Sequence, residues 1–160
     1  MDKKIIDADG HVLEDPSLLD YLEEPYRSGK CLGGIIGPIR QVSPNVFPGP
    51  DFHHLATFKR SGRAFGGGQR VGPEEWVEFL DVAGLECAFL YPTNGLGSGN
   101  ITHPDWACAA ARAYNNWIYD RYMKRDPRLK AMALIPMQDV EEAVKELRRA
   151  VTELGMPGAM

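Results

Sequence analysis

Little in this chain of 160 residues points to export, a membrane or nucleic acid. Three cysteines occur, Cys31, Cys87 and Cys108, an odd set without a Cys-x-x-Cys spacing. They read as reduced thiols of a cytoplasmic protein, not a disulfide framework. No run approaches the roughly 20 apolar residues that cross a bilayer, and Lys3-Lys4 lacks the apolar segment of a signal peptide behind it. An excess of positive charge is also missing: 18 Lys and Arg stand against 22 Asp and Glu, a net charge of −4. No basic patch is available for nucleic acid or an anionic membrane. With 44% apolar and 25% charged residues, the composition is that of one soluble globular domain with a sizeable core, taken as residues 1–160.

Against that background one stretch carries chemistry. Ile5-Ile6-Asp7-Ala8-Asp9-Gly10-His11-Val12 reads as a β-strand, and strand side chains alternate between faces. Asp7, Asp9 and His11 therefore share one face. Carboxylate oxygen and neutral imidazole nitrogen both bind zinc or manganese, at about 2.0–2.2 Å. Asp9 and His11 can converge on one cation, or they can form an exposed Asp-Gly-His turn just past the strand. Two ligands do not complete a catalytic site, which usually draws about three from the protein.

Downstream, Pro16 opens a short helical segment ending near Pro25. Residues 28–72 then turn irregular, with Gly33-Gly34, Pro48-Gly49-Pro50 and Gly66-Gly67-Gly68. Loops of that length are uncommon and usually functional, so this insertion is expected as a lid beside the site. Pro73-Glu74-Glu75 starts a helix whose buried stripe is Trp76, Phe79, Leu80 and Ala83, closed by Gly84. The apolar run Cys87 to Tyr91 is a strand covered on both faces. A loop over 93–102 leads to a helix over about 104–124, stopped at Asp126-Pro127. A third strand is expected over 131–137. Asp139-x-x-Glu142 then caps a helix with its apolar stripe at Val140, Ala143, Val144, Leu147, Val151 and Leu154. Residues 156–160 would be a fourth strand.

The order βαβαβαβ connects into a parallel sheet through right-handed crossovers. Length favours a doubly wound open sheet over an eightfold barrel, which needs about 250 residues. The polar face of the first strand argues the other way. An open sheet covered by helices would bury those ionisable groups unpaired at several kcal/mol, whereas a barrel mouth holding a metal accepts them. Gly66-Gly67-Gly68 follows no strand and is a poor phosphate loop. The fold class is thus α/β, the N-terminal half of a (β/α)8 TIM barrel with about four parallel strands and three crossover helices.

The strand motif extended to Glu14, the stretch Trp76 to Leu85 leading into Leu90-Tyr91-Pro92-Thr93, the run Ala113-Tyr114-Asn115-Asn116-Trp117, and Leu134-Ile135-Pro136-Met137-Gln138-Asp139 resemble one family. It is the amidohydrolase superfamily, in the branch that includes aminocarboxymuconate-semialdehyde decarboxylase and γ-resorcylate decarboxylase. The resemblance implies a metal-dependent barrel in which Asp9 and His11 take the first-strand ligand places for a divalent ion, zinc or manganese. Asp9 stands where many members have His or Glu. The family's remaining ligands and its catalytic carboxylate come from strands beyond residue 160. The implied activity is hydrolysis of a small carboxylated or cyclic substrate by metal-activated water. The alternatives are decarboxylation on the same ligands, or a non-catalytic fragment or interaction module.

Other residues are candidates for contacts around the ion or with substrate. Asp7 lies one layer deeper, as a partner for His11 or a buried acid. Glu14 is either an orienting group or a surface acid. Tyr91, Thr93 and Asn94 fall at the carboxyl end of the second strand, the catalytic side of barrels. His54, beside His53, sits in the long loop. His103 serves a helix start, and Arg112, Arg121, Arg125 and Arg128 read as solvated helix faces, while spacing gives no role for Asn115-Asn116. The expected partners are a small-molecule substrate and further copies of the chain, through association at an unfinished sheet edge.

Overall fold

The computed structural model describes residues 4–28 and 71–160, together with the backbone of 58–60 and 63–65. Strand β1 spans Ile5–Val12, β2 Phe58–Arg60, β3 Arg63–Phe65, β4 Leu85–Pro92 and β5 Leu129–Ala131. The helices are α1, Pro73–Ala83, α2, Pro104–Ile118, and α3, Val140–Thr152. Three strands form a parallel sheet in the order β1-β4-β5, and β2 and β3 pair antiparallel by themselves. That short hairpin lies inside the stretch expected to be an irregular insertion; most of the rest of that stretch, with His53, His54 and Gly66-Gly67-Gly68, lies outside the described residues. No helix among the described residues is long and apolar enough to cross a membrane.

Local sequence explains most of these elements. Asp15 caps a 3-10 helix, Pro16–Tyr21, by accepting from the Ser17 amide at 2.8 Å, so the first helical segment is tighter and shorter than expected. Pro73 begins α1, Glu75 accepts from the Gly72 amide at 2.9 Å, and Gly84 ends the helix at φ 66°, a conformation glycine adopts without steric cost. Trp76 and Leu80 of α1 are buried, as their spacing predicts. His103 caps α2 through the Trp106 amide, and α2 passes into one turn of π-helix at Tyr119–Met123. The core gathers Leu80, Leu90, Tyr114, Trp117, Ile118, Leu129 and Leu134 between sheet and helices.

Three expectations change. The third strand covers only Leu129–Ala131, and the fourth is reduced to a parallel bridge between Ala133 and Ala159. The Met132 amide still reaches the Leu90 carbonyl of β4 at 2.9 Å, but at Leu134 a side chain takes over: Asn115 accepts from the Leu134 amide and donates to the Leu134 carbonyl, both at 2.9 Å. β4 is not covered on both faces. Ala88, Leu90 and Pro92 are buried toward the helices, while Leu85, Cys87, Phe89 and Tyr91 are half-buried on the other side. In α3 the buried row is Ala143, Glu146 and Ala150, and Val140, Val144 and Val151 are 70%, 51% and 45% exposed. The buried row stands one position off the apolar stripe, because Glu146 is held by Asn115 at 2.7 Å and by Arg149 at 2.7 Å. A paired acid thus occupies a place that periodicity assigns to an apolar side chain. The arginines keep exposed or half-exposed places, as expected, and each carries an acidic partner there. Arg112 pairs with Glu23 and Glu142, Arg121 with Asp15, Arg125 with Glu74, and Arg128 with Asp81 and Asp126.

Candidate metal centre

The parallel pairing of β1 with β4 sets His11 beside Tyr91 and Val12 beside Pro92. Alternation turns Gly10 and Val12 toward the helices and leaves Asp9 and His11 on the open face. Gly10 is required between them. A Cβ there would stand 2.8 Å from Trp76 Cη2, 3.1 Å from Leu90 Cδ2 and 3.1 Å from the Phe89 carbonyl oxygen. The indole of α1 thus lies against the strand at the position separating the two donors.

His11 Nδ1 donates to the Pro92 carbonyl at 3.0 Å. A carbonyl only accepts, so Nδ1 carries the proton and Nε2 keeps its lone pair in the neutral ring. That lone-pair nitrogen stands 3.6 Å from Asp9 Oδ1. One ion bonded at about 2.1 Å to each donor reaches both up to a separation of roughly 4.2 Å. The pair therefore fits a shared divalent cation. The side chains of His11 and Asp9 are 39% and 88% exposed, open to ion and substrate alike. No group of three or more His, Cys, Asp or Glu side chains converges for a metal among the described residues.

The other candidates fall around this pair in different ways. Asp7 is half-buried and turns its carboxylate back on the Asp9 amide at 3.0 Å. The Tyr91 ring centre lies 6.1 Å from that of His11, and the Thr93 amide donates to the Val12 carbonyl at 3.0 Å. Glu14 is buried and accepts from the Asn94 and Gly95 amides, each at 2.8 Å. Burial pushes its carboxyl pKa up, against the lowering effect of those amides. Beneath it, burial and then the Glu14 charge hold the Tyr114 phenol well above its ordinary range, so it stays neutral. His54 lies outside the described residues.

Two contributors carry no sign in the linear pattern, the Pro92 carbonyl and Gln138, and a third, Gly10, carries a faint one. Gln138 Nε2 donates to the Ser98 and Ile101 carbonyls at 2.8 and 3.0 Å, holding the far end of the turn after β4. Gly10 had one available signal, a glycine between two charged residues inside a strand, where close approach of another group is the usual reason.

Comparison with known proteins bears on the fold and the family. A γ-resorcylate decarboxylase of Rhodococcus jostii is 44% identical over 84 residues, 52% of this chain and 25% of that protein. A dihydroxybenzoic acid decarboxylase of Polaromonas sp., solved with manganese and 2-nitroresorcinol, superposes with a TM-score of 0.61 at 23% identity, over 99% of this chain and 38% of that one. An amidohydrolase from Mycobacterium avium subsp. paratuberculosis gives 0.64 at 17% identity, over 98% of this chain and 48% of that one. The chain thus spans between a quarter and a half of the length of these proteins, and its fold is the α/β arrangement of one part of their barrels. The family description "Amidohydrolase" fits residues 6–159: the chain belongs to the amidohydrolase family.

Proposed function

We propose that this chain contributes the first-strand ligands of a metal-dependent decarboxylase acting on a small carboxylated aromatic, with Asp9 and His11 holding manganese or zinc. The observation that carries the reading is the Asp9–His11 pair, with Nε2 of His11 3.6 Å from the Asp9 carboxylate, in a chain 44% identical over 84 residues to a γ-resorcylate decarboxylase. A bound divalent ion supplies a Lewis acid that anchors substrate oxygens. The residues of this chain do the remaining work described here. Asp9 offsets the ion's charge, Pro92 fixes the imidazole, and Tyr91 places an aromatic face beside His11 where a planar ring can stack. Thr93 and Asn94 line the same strand end as candidate substrate contacts, with Asp7 and Glu14 behind them. Hydrolysis by the same centre is the second reading, favoured by the family description. A cytoplasmic setting suits the reduced thiols Cys87 and Cys108.

Titration calorimetry with Mn²⁺ and Zn²⁺ on the wild type, Asp9→Ala and His11→Ala tests ligation. Each substitution is expected to weaken binding at least about tenfold, and equal binding by all three proteins overturns the assignment. Carbon dioxide release from 2,6-dihydroxybenzoate, scored beside lactone hydrolysis, separates the two activities.

A further inference from the structure

Four hydrogen bonds stitch residues 11–14 to residues 92–95, and they all run between the end of β1 and the end of β4. His11 Nδ1 meets the Pro92 carbonyl, the Thr93 amide meets the Val12 carbonyl, and the Asn94 and Gly95 amides meet the two oxygens of Glu14. Glu14 is the only charged group among these contacts, and it is buried. A carboxylate offers both oxygens as acceptors and no donor, so it satisfies two parallel amides at once. Those amides follow Pro92 by two and three residues. Holding them fixes where the Pro92 carbonyl points, and that carbonyl determines which ring nitrogen of His11 carries the proton.

We propose that Glu14 is a positioning residue for the metal-facing nitrogen of His11. Through the turn 92–95 it holds the Pro92 carbonyl in place, and so keeps His11 in the Nδ1–H form with Nε2 free to bind a cation. The turn has little freedom to compensate. A Cβ at Gly95 would stand 2.6 Å from Pro92 Cβ and 2.9 Å from Leu134 Cδ1, and Gln138 secures the other end at Ser98 and Ile101. Glu14 acts through the backbone of the turn, by way of the Asn94 and Gly95 amides. The inference rests on the metal reading above for its consequence, and on the hydrogen bonds for its mechanism.

The test is nitrogen-15 NMR of the His11 side chain in the full chain, joined to Mn²⁺ titration, for the wild type and Glu14→Gln. The amide of glutamine replaces one acceptor with a donor and leaves one backbone N–H without a partner. The wild type is expected to show Nδ1–H. Glu14→Gln is expected to show a mixture of the two ring forms and Mn²⁺ affinity lower by about five- to tenfold. An Nε2–H form in the wild type overturns the proposal without any variant, so poor folding of the variant cannot shelter it. An unchanged ring form and affinity within twofold in folded Glu14→Gln overturns it as well. Failure of the wild type to bind Mn²⁺ defeats the metal reading alone, since the ring form still reports on Glu14.

Discussion

At the scale of single residues, the site depends as much on what is small as on what is charged. Gly10 lets Trp76 lie against β1 between Asp9 and His11. Gly10→Ala introduces a Cβ that the indole and the Phe89 carbonyl leave no room for, and the variant is expected to lose about 1–3 kcal/mol, read as a lower midpoint in urea unfolding. Ion affinity should fall with it, because the strand shifts at the residue joining the two donors; an unchanged midpoint would show that the ring moves aside freely. Asp9 and His11 are legible in the linear sequence as donors two apart in a strand, although the register of β1 on β4 shifts between Asp7 and Gly10, which alternation does not foresee. Glu14 is not. An acid three residues past His11 is at home on a surface or in a buried acceptor position, and only the fold, by bringing the Asn94 and Gly95 amides to it, decides between them.

At the scale of elements, polar side chains replace regular pairing. Asn115 of α2 meets both backbone groups of Leu134 and also Glu146 of α3, while the neighbouring Asn116 accepts from Arg149 at 3.0 Å. The Asn-Asn pair, for which spacing gives no role, therefore joins two helices to the segment after β5. Asn115→Ala leaves the Leu134 amide, the Leu134 carbonyl and the Glu146 carboxylate each short of a buried partner. The expected loss is about 2–4 kcal/mol, measured by urea denaturation, and a loss below 1 kcal/mol would show that water takes the vacated place. The helices were legible because Pro73, Gly84, Pro104 and Asp139 punctuate them. The burial of α3 was not, since an amphipathic period marks a stripe but does not rank adjacent rows, and a salt-bridged acid reverses their order here.

At the scale of the molecule, the parallel order β1-β4-β5 and the crossovers through helices follow from the alternation of elements, which the sequence carries plainly. The face of the sheet opposite the helices carries half-buried Leu85, Cys87, Phe89 and Tyr91, with Ile5 and Ile6 exposed at the start of β1. Apolar surface of this kind beside an edge strand favours association. Light scattering behind size exclusion is expected to give a mass above the 17.8 kDa of one chain at micromolar concentration; a concentration-independent monomer mass would defeat that expectation. The carboxamide of Asn115 imposes a further condition on the architecture. It presents a donor and an acceptor to Leu134 just as a neighbouring peptide would, so the segment beyond β5 is written partly in α2, nineteen positions upstream. Recombination among relatives, in nature or at the bench, must therefore carry that helix and that segment as one inherited block, because a breakpoint between them would separate the Leu134 backbone from the side chain that stands in for its neighbour.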